Sequence, residues 1–341
     1  MTGVASPPLV KLVRPRQPKA QVELEIDGQS VSVDEGSTIL DACRKLGHDI
    51  PTLCYLETLT PVNVCRVCMV EVEGARVLVP SCSRVVEPGM KVKTRSERVM
   101  HTRKLVLEML ASSVDLSTTP GMSELLEEYE CEAERYGPPA PASMHNERDL
   151  ALPGHHHAPD PEFAATVAQP VKIDNDLYVR DYSKCVLCYK CVEACGTDHQ
   201  NTFAIAVAGR GFDARISTEF AVELPESACV YCGNCIQVCP TGALMPKREF
   251  DMRADGTWDE SKQTVTNTIC PYCGVGCTLS LHVQGNEIVK AMSPLDNGVT
   301  MGNLCIKGRF GWRFVGASSS RAASEGPAPA VAVTPSKGPS L

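Results

Sequence analysis

The stretches KCVLCYKCVEACG at residues 184–196 and ACVYCGNCIQVCP at residues 228–240 decide the fold of the middle of this chain. Both have the spacing C-x2-C-x2-C-x3-C, so they form an internal repeat. Three thiolates at successive x2 spacings suit the corners of a [4Fe–4S] cubane, and the fourth crosses to the other cluster. The predicted ligand sets are Cys185, Cys188, Cys191 and Cys239 for one cluster, and Cys229, Cys232, Cys235 and Cys195 for the other.

The composition bears on where these cysteines function. The chain has 341 residues, 18 cysteines and a net charge of −8, which fits either a secreted disulfide scaffold or an intracellular metal protein. Residues 1–20 are rich in proline and basic residues and lack the apolar core of a signal peptide. No stretch of about 18 apolar residues occurs, and no basic tract favours nucleic acid. We therefore expect a cytoplasmic metal protein with no membrane span and no nucleic-acid partner.

Residues 21–96 combine a hairpin, a helix and another cysteine set. QVELEIDGQSVSV alternates apolar and polar residues around Asp27-Gly28, which predicts a β-hairpin. STILDACRKLG predicts a short helix, with Thr38 and Asp41 as a capping box. The spacing C-x10-C-x2-C-x13-C gives one set: Cys54, Cys65, Cys68 and Cys82. Together these features predict a β-grasp ferredoxin-like domain with a [2Fe–2S] cluster; a structural zinc site is the alternative.

A last cysteine set lies near the C-terminus, within a small β domain predicted over 262–314. TICPYCGVGCTLSLHVQG at residues 268–285 and the later GNLCIKGRFGW supply its members: Cys270, Cys273, Cys277 and Cys305. The spacing suits a third [4Fe–4S] cluster, with zinc as the alternative. Strands are predicted on either side of Gly285-Asn286.

The remaining segments connect or flank these domains. Residues 97–137 are predicted to be helical, with a solvated acidic face between Glu124 and Glu134. Residues 1–20 are predicted to be a disordered arm, 138–170 a linker, and 315–341 a disordered tail. Cys43 is expected to be a core residue of the first helix, and Cys131 to lie in the acidic helix without a partner at ligand spacing. The two-cluster domain spans 171–250, and the fold class is α+β.

In this order, the four cysteine sets resemble the N-terminal third of the alpha subunit of NAD-dependent molybdenum- or tungsten-containing formate dehydrogenases, from Val22 to Phe314. The first three sets are also similar to the N-terminal part of the large iron–sulfur subunit of respiratory complex I. They are similar as well to the small diaphorase subunit of NAD-reducing [NiFe] hydrogenases. The CPYCGVGC and GNLCIKGRFGW elements are typical of the molybdopterin group, in which Lys307 matches the lysine between cluster and pterin.

The chain departs from those families in two places. They carry a His/Cys3 [4Fe–4S] site of pattern H-x3-C-x2-C-x5-C, whereas residues 111–137 here offer no such set. His101 comes too early, Ser123 stands at the position of the last cysteine in one alignment, and Cys131 is alone. The chain also ends at Leu341, without molybdopterin domains. We expect one [2Fe–2S] and three [4Fe–4S] clusters, with no molybdopterin and no flavin in this chain.

Three hypotheses of function remain open. The first is an electron-transfer subunit of a cytoplasmic, heteromeric, NAD(P)-linked oxidoreductase. It would relay electrons between a flavin-containing NAD(P)H-binding subunit and a separate catalytic subunit of the hydrogenase or formate dehydrogenase type. The second is a truncated or split formate dehydrogenase alpha subunit whose molybdopterin part lies on another chain. The third is a zinc-binding interaction module. The sequence shows no dinucleotide fingerprint and no nucleophile–base pair, so no catalytic residue is assigned.

Overall fold

The computed structural model describes residues 19–138, 156–157, 162–164, 166–167 and 170–315. Most of the predicted disordered arm, tail and linker lies outside these residues. The chain divides into two compact units, one formed by residues 1–52 and 66–103, the other by residues 53–65 and 104–341. Both helices and strands are present, so the predicted α+β class is confirmed. Among the described residues, no helix has both the length and the apolar character needed to cross a membrane.

The first unit contains a five-stranded sheet of order β2-β1-β5-β3-β4. Its strands are β1 (Gln21–Ile26), β2 (Gln29–Asp34), β3 (Met69–Val72), β4 (Val79–Pro80) and β5 (Lys91–Lys93). β1 and β5 are parallel, and the other pairs are antiparallel. Alternate residues of β1 and β2, among them Leu24, Ile26 and Val33, are buried, because successive side chains of a strand point to opposite faces.

The hairpin and the first helix form where the sequence predicts them. The N-terminal helices are α1 (Ile39–Lys45), α2 (Glu97–Ser113) and α3 (Met122–Glu128). Asp27 and Gly28 both have positive φ, 46° and 83°, as the tight turn of a two-residue hairpin requires. At the start of α1, the Thr38 amide donates to Asp41 Oδ2 over 2.8 Å, and the Asp41 amide donates to Thr38 Oγ1 over 3.2 Å. The predicted capping box is therefore confirmed, and Cys43 on α1 is fully buried, as expected.

The predicted helical character of residues 97–137 is wrong for its last part. α3 ends at Glu128, and Glu130 has a left-handed φ of 51°. The Cys131 amide donates to the Leu126 carbonyl over 2.9 Å, so Cys131 lies in a turn rather than in an acidic helix. The turn is held by a contact distant in sequence, in which the Glu132 amide donates to Glu108 Oε1 over 3.1 Å. The glutamates of the acidic run are exposed, as predicted.

The second unit contains the cysteine repeat. Its strands before the last domain are β6 (His156–His157), β7 (Thr166–Val167), β8 (Tyr178–Arg180), β9 (Ala206–Ala208), β10 (Arg215–Ser217) and β11 (Leu244–Pro246). Its helices there are α4 (Lys190–Cys195), α5 (Asn234–Val238) and α6 (Lys247–Ala254). β6 pairs with β7, β9 with β10, and β8 with β11, all antiparallel. The core of the repeat includes Tyr178, Tyr182, Ile205, Ile216 and Leu224, packed around the cysteines.

A three-stranded antiparallel sheet follows in the same unit. It consists of β12 (Thr264–Ile269), β13 (Thr278–Gln284) and β14 (Glu287–Met292), and it precedes α7 (Ile306–Phe310). Gly285 and Asn286 have φ of 59° and 65°, so the predicted strand pair on either side of them is confirmed. β12 lies at the edge of the sheet, and all its residues are exposed.

Candidate iron–sulfur centres

Both cysteine blocks fold with the same local backbone. Counted from the first cysteine of each block, the third and fifth residues have left-handed φ, namely 51° at Leu187, 63° at Tyr189, 55° at Tyr231 and 70° at Gly233. Successive bends of this kind turn backbone N–H groups towards a common centre. As a result, the Leu187 amide donates to Cys185 Sγ and the Tyr231 amide to Cys229 Sγ, both over 3.4 Å. Such bonds stabilise the thiolate form of a sulfur ligand.

Two cavities lie between the blocks, each lined by four cysteines. One is lined by Cys185, Cys188, Cys191 and Cys239. The other is lined by Cys195, Cys229, Cys232 and Cys235. The structure therefore brings together the same crossed sets that the spacing predicts, and their assignment as cluster ligands stays a prediction.

The buried environment of these thiols disfavours a free thiolate. Burial raises the pKa of Cys185 to about 12 and that of Cys188 to about 11, and it raises the pKa of Cys191 and Cys235 well above the usual range. Charges of neighbouring cysteines add to the effect. A bare thiolate is unfavourable at such a site, whereas coordinated iron would replace the proton and neutralise the sulfur.

The donor geometry also bears on the zinc alternative. Within the described residues, no group of three or more histidine, cysteine, aspartate or glutamate side chains is arranged to hold one metal ion. A zinc site needs its four ligands at about 2.0–2.3 Å from a single ion. In a cluster each thiolate binds its own iron, so the sulfurs stand further apart. The assignment of the two cavities to [4Fe–4S] clusters therefore stays a prediction, with zinc as its alternative.

The first cysteine set draws its members from both units. In the first unit, Cys68 and Cys82 are buried, and the Cys68 carbonyl accepts from the Ser81 amide over 3.1 Å. In the second unit, hydrogen bonds from Cys65, its side chain foremost, lower the pKa of Cys54 to about 5. These hydrogen bonds favour the thiolate of Cys54, the form in which cysteine binds iron.

The last cysteine set surrounds the small core of the C-terminal sheet. Cys270 is buried with Leu279 and Leu304, and its amide donates to the Cys277 carbonyl over 2.8 Å. The pKa of Cys277 is raised by burial and further by the charges of the other three cysteines of this set. The four thiols therefore lie near one another. Cys273 and Cys305 are exposed, so this centre would lie at the surface of the unit.

Lys307, the residue matched to the lysine between cluster and pterin, is exposed on α7. Its backbone carbonyl accepts from the Gly311 amide over 2.7 Å. In this unit, therefore, Lys307 is a surface charge two residues from a predicted ligand.

The region where related families carry a His/Cys3 cluster has different interactions here. Glu108 is fully buried and accepts from Arg135 Nη1 over 3.1 Å, with Lys104 Nζ at 3.8 Å. Cys131 is half-buried, with its sulfur 3.9 Å from the Lys104 carbonyl oxygen. Ser123 is exposed and donates to Glu124 over 2.9 Å. An ion-pair network thus ties α2 to the turn after α3.

Replacing Cys131 by serine should leave the cluster content unchanged. The thiol interacts with the Lys104 carbonyl, and the sequence places no other cysteine at ligand spacing from Cys131. We expect the same iron and sulfide content and the same EPR spectrum as in the wild-type protein. Cys188→Ser is the positive control, because Cys188 is one of the four cysteines that line the first cavity. Loss of about four irons in Cys131→Ser would contradict the absence of a cluster in this segment.

Sequence reasoning missed residues that contact the predicted ligands from elsewhere in the chain. Tyr178 Oη lies 3.1 Å from Cys229 Sγ. Burial raises the pKa of Tyr178 far above its usual value, so the phenol stays protonated and donates to the sulfur once that sulfur binds iron. Cysteine spacing carries no signal for such contacts, since Tyr178 and Cys229 lie 51 positions apart.

Three segments match models of known domain families. Residues 19–97 match a 2Fe-2S iron-sulfur cluster binding domain, residues 184–243 a 4Fe-4S dicluster domain, and residues 263–317 the molybdopterin oxidoreductase Fe4S4 domain. These segments contain all sixteen predicted ligands. The presence of [2Fe–2S] and [4Fe–4S] domains is therefore confirmed.

Comparison with whole proteins confirms the resemblance to a complex I subunit and to formate dehydrogenases. An NADH-quinone oxidoreductase subunit of Rhizobium meliloti (strain 1021) is 34% identical over 305 residues, which are 86% of this chain and 31% of the relative. A putative formate dehydrogenase of Staphylococcus haemolyticus (strain JCSC1435) is 25% identical over 85% of this chain and 31% of its own length. This chain thus spans about a third of the length of these curated relatives.

A solved structure shares the fold. A chain of the NAD+-reducing [NiFe]-hydrogenase in the H2-reduced state superposes with a TM-score of 0.53 at 23% identity. The match covers 67% of this chain and 88% of that chain. This chain is therefore similar to the N-terminal iron–sulfur region of larger oxidoreductase subunits and to a hydrogenase chain matched over most of its length.

Proposed function

We propose that this chain is an iron–sulfur electron-transfer subunit of a cytoplasmic, multi-subunit, NAD(P)-linked oxidoreductase. The observation that carries the proposal is the pair of cavities lined by two complete, crossed sets of four cysteines. In the proposed holoprotein, one [2Fe–2S] cluster and three [4Fe–4S] clusters occupy the four cysteine sets, within domains at 21–96, 171–250 and 262–314. The clusters supply one-electron chemistry, and the chain positions them and sets their potentials.

The segment that carries Cys54 supports an electron path into the repeat. Leu59 in that segment packs against Ala194 on α4 and Val238 on α5. The Thr60 amide donates to Asp198 Oδ2 over 2.6 Å. The charge of Cys54 also acts on Cys188. We infer that Cys54, the ligand that this segment contributes to the [2Fe–2S] set, lies on the side of the cubane of Cys185, Cys188, Cys191 and Cys239.

Contacts at the other side of the repeat support a path out of it. The Leu304 amide donates to Asn234 Oδ1 over 3.0 Å, and the Ser293 amide donates to Gln237 Oε1 over 3.1 Å. Both acceptors lie on α5, which carries Cys235. The second cubane therefore adjoins the domain of the fourth cluster, and we propose the order [2Fe–2S], first cubane, second cubane, fourth cluster.

The proposed partners lie at the two ends of this path. A flavin-containing NAD(P)H-binding subunit is proposed at the [2Fe–2S] end. A separate catalytic subunit, a hydrogenase or a molybdenum or tungsten enzyme, is proposed at the fourth cluster.

A second candidate function is favoured by one observation. The match to the molybdopterin oxidoreductase Fe4S4 domain, together with the exposed Cys273 and Cys305, fits a split formate dehydrogenase alpha subunit whose molybdopterin part is on another chain. Molybdenum or tungsten in the purified complex would distinguish this candidate from a hydrogenase. A zinc-binding module is third, and about four zinc ions with negligible iron would establish it.

Anaerobic purification of the native complex through a tag on this chain tests the proposal. Mass spectrometry should identify a flavin-containing subunit and a catalytic subunit, and NADH or NADPH should produce EPR signals of reduced clusters. In Cys185→Ser, the [2Fe–2S] signal should still appear, while NAD(P)H reduction of the later clusters should slow. A chain that purifies without partners, and whose clusters neither nucleotide reduces, would falsify the proposal.

A further inference from the structure

Arg309 is a buried cation between the last two predicted clusters. It lies on α7, four residues after Cys305, and only 1% of it is exposed. Its Nη1 donates to Gln237 Oε1 over 2.7 Å and to the Ala291 carbonyl over 3.2 Å, and its Nη2 donates to Asn234 Oδ1 over 3.4 Å. All of these acceptors are neutral, so none of them balances the guanidinium charge.

The stem of Arg309 lies against the loop of the second cubane. A Cβ added at Gly233, between Cys232 and Cys235, would stand 2.9 Å from Arg309 Cγ and 3.2 Å from its Nε. That Nε is buried and has no hydrogen-bond partner. Gly233 therefore permits the approach, through both its missing Cβ and its left-handed φ of 70°. An unpaired donor thus lies beside the loop that bears two predicted ligands.

The next residue of α7 reinforces this position. Phe310 stacks on Tyr178, with ring centroids 6.2 Å apart and planes 8° from parallel. Tyr178 in turn contacts Cys229 Sγ. Through Arg309 and Phe310, α7 therefore packs against Gly233 and Tyr178, two residues that line the second cubane cavity.

A fixed positive charge at this place favours the reduced form of a neighbouring cluster. Reduction adds one electron, and hence one negative charge, without breaking a bond or moving a proton. Burial strengthens the attraction, because the local dielectric is low. Burial also lowers the pKa of Arg309 to about 10, and the charges of Cys232 and Cys235 act in the opposite direction. The guanidinium therefore stays protonated at neutral pH.

We propose that Arg309 is a positioning residue that raises the reduction potential of the cluster held by Cys229, Cys232, Cys235 and Cys195. The inference rests on the cubane assignment in the proposed function. It gives the C-terminal domain a second role, which is to hold the preceding cluster at a potential from which it accepts electrons readily. The charge acts across a domain contact, so the potential depends on α7 remaining docked.

Redox titration of the anaerobically purified complex, with dithionite as reductant and EPR as readout, tests this inference. The signal that disappears in Cys232→Ser identifies the cluster. In Arg309→Gln, we expect its reduction equilibrium to move about tenfold towards the oxidised form, a fall of about 59 mV for one electron. Arg309→Lys, which keeps the charge, should recover most of the shift. Arg313→Gln, which removes an exposed charge just beyond α7, should leave the potential unchanged.

Two outcomes would overturn the inference. One is an unshifted potential in Arg309→Gln with full iron content. The other is loss of this signal and of about four irons in both Arg309→Gln and Arg309→Met, which would make Arg309 a structural residue only. Failure of the proposed function is distinguishable, because the wild-type complex itself would then lack iron or EPR signals.

Discussion

Replacement of Cys273 by serine is expected to stop electron delivery to the catalytic partner while sparing the NAD(P)H end of the complex. Cys273 is an exposed member of the fourth set, and its loss removes one of four thiolates from a surface cluster. We expect the full reaction with the physiological substrate to slow by about 100-fold, as for severe damage to a metal site. NAD(P)H oxidation with a dye at the flavin end should continue at the wild-type rate, because the [2Fe–2S] ligands are untouched.

Both rates have to be measured in an assembled complex. Size-exclusion chromatography and subunit analysis should first establish that Cys273→Ser retains its partners. Cys131→Ser is the matched control, since it removes a thiol from the same unit outside every predicted ligand set, and both of its rates should be normal. If both rates hold in an assembled Cys273→Ser complex without this cluster, the electron path bypasses it and the cluster is only structural.

The surface around the fourth set explains why we expect a relay. Cys273 and Cys305 are exposed, and so are the apolar residues Ile269, Val275 and Ile306 nearby in sequence. An exposed cluster is labile, and its potential depends on burial. A purely structural cluster would gain from a closed environment in the isolated chain. An open one suits contact with a protein that receives its electrons.

Local sequence signals predicted the elements that short-range chemistry determines. The positive φ of Asp27 and Gly28 follows from a two-residue turn between alternating strands. The start of α1 follows from the reciprocal bonds of Thr38 and Asp41. The sixteen cysteines all lie within the three segments that match known domain families. This grouping could be predicted from the sequence, because cluster ligands recur at fixed spacings.

Contacts distant in sequence could not be predicted in this way. The turn after α3 depends on Glu108, a buried carboxylate that binds Arg135 and the Glu132 amide, and an acidic run alone gave no sign of it. Segment 53–65 packs on α4 through Leu59 and Ala194. The spacing of the cysteines likewise does not predict this contact. Arg309 reads in sequence as an ordinary surface charge in a basic stretch, yet its side chain is buried.

The crossed arrangement of the repeat leads to a second prediction with a large effect. The cavity that contains Cys185, Cys188 and Cys191 is completed by Cys239, which lies 44 positions after Cys195 in sequence. If each block instead bound its own cluster, Cys195 would complete that cavity. It lines the other cavity, with its sulfur 3.4 Å from Thr202 Oγ1. Serine variants of the two crossing cysteines therefore separate the two arrangements.

Cys239→Ser is expected to remove the same EPR signal as Cys185→Ser, and Cys195→Ser the same signal as Cys229→Ser. The wild-type chain should contain about fourteen irons, and each variant about ten, because one cubane is lost or becomes labile. Anaerobic iron and sulfide analysis, with EPR of the dithionite-reduced protein, measures both quantities. Cys43→Ser is the control, since Cys43 is a buried core residue of the first unit, and its iron count should match the wild type.

The reverse pairing of signals would contradict the crossed arrangement. If Cys195→Ser removed the Cys185 signal and Cys239→Ser the Cys229 signal, each block would bind its own cluster. The cavity linings would then not describe the holoprotein. Simultaneous loss of both signals in either variant would also contradict the prediction, because independent cubanes should not share a ligand. In the crossed arrangement, each cluster would link α4 to α5 or to Cys239, the residue that follows α5. The two cubanes would therefore be held at a fixed separation, as a relay requires.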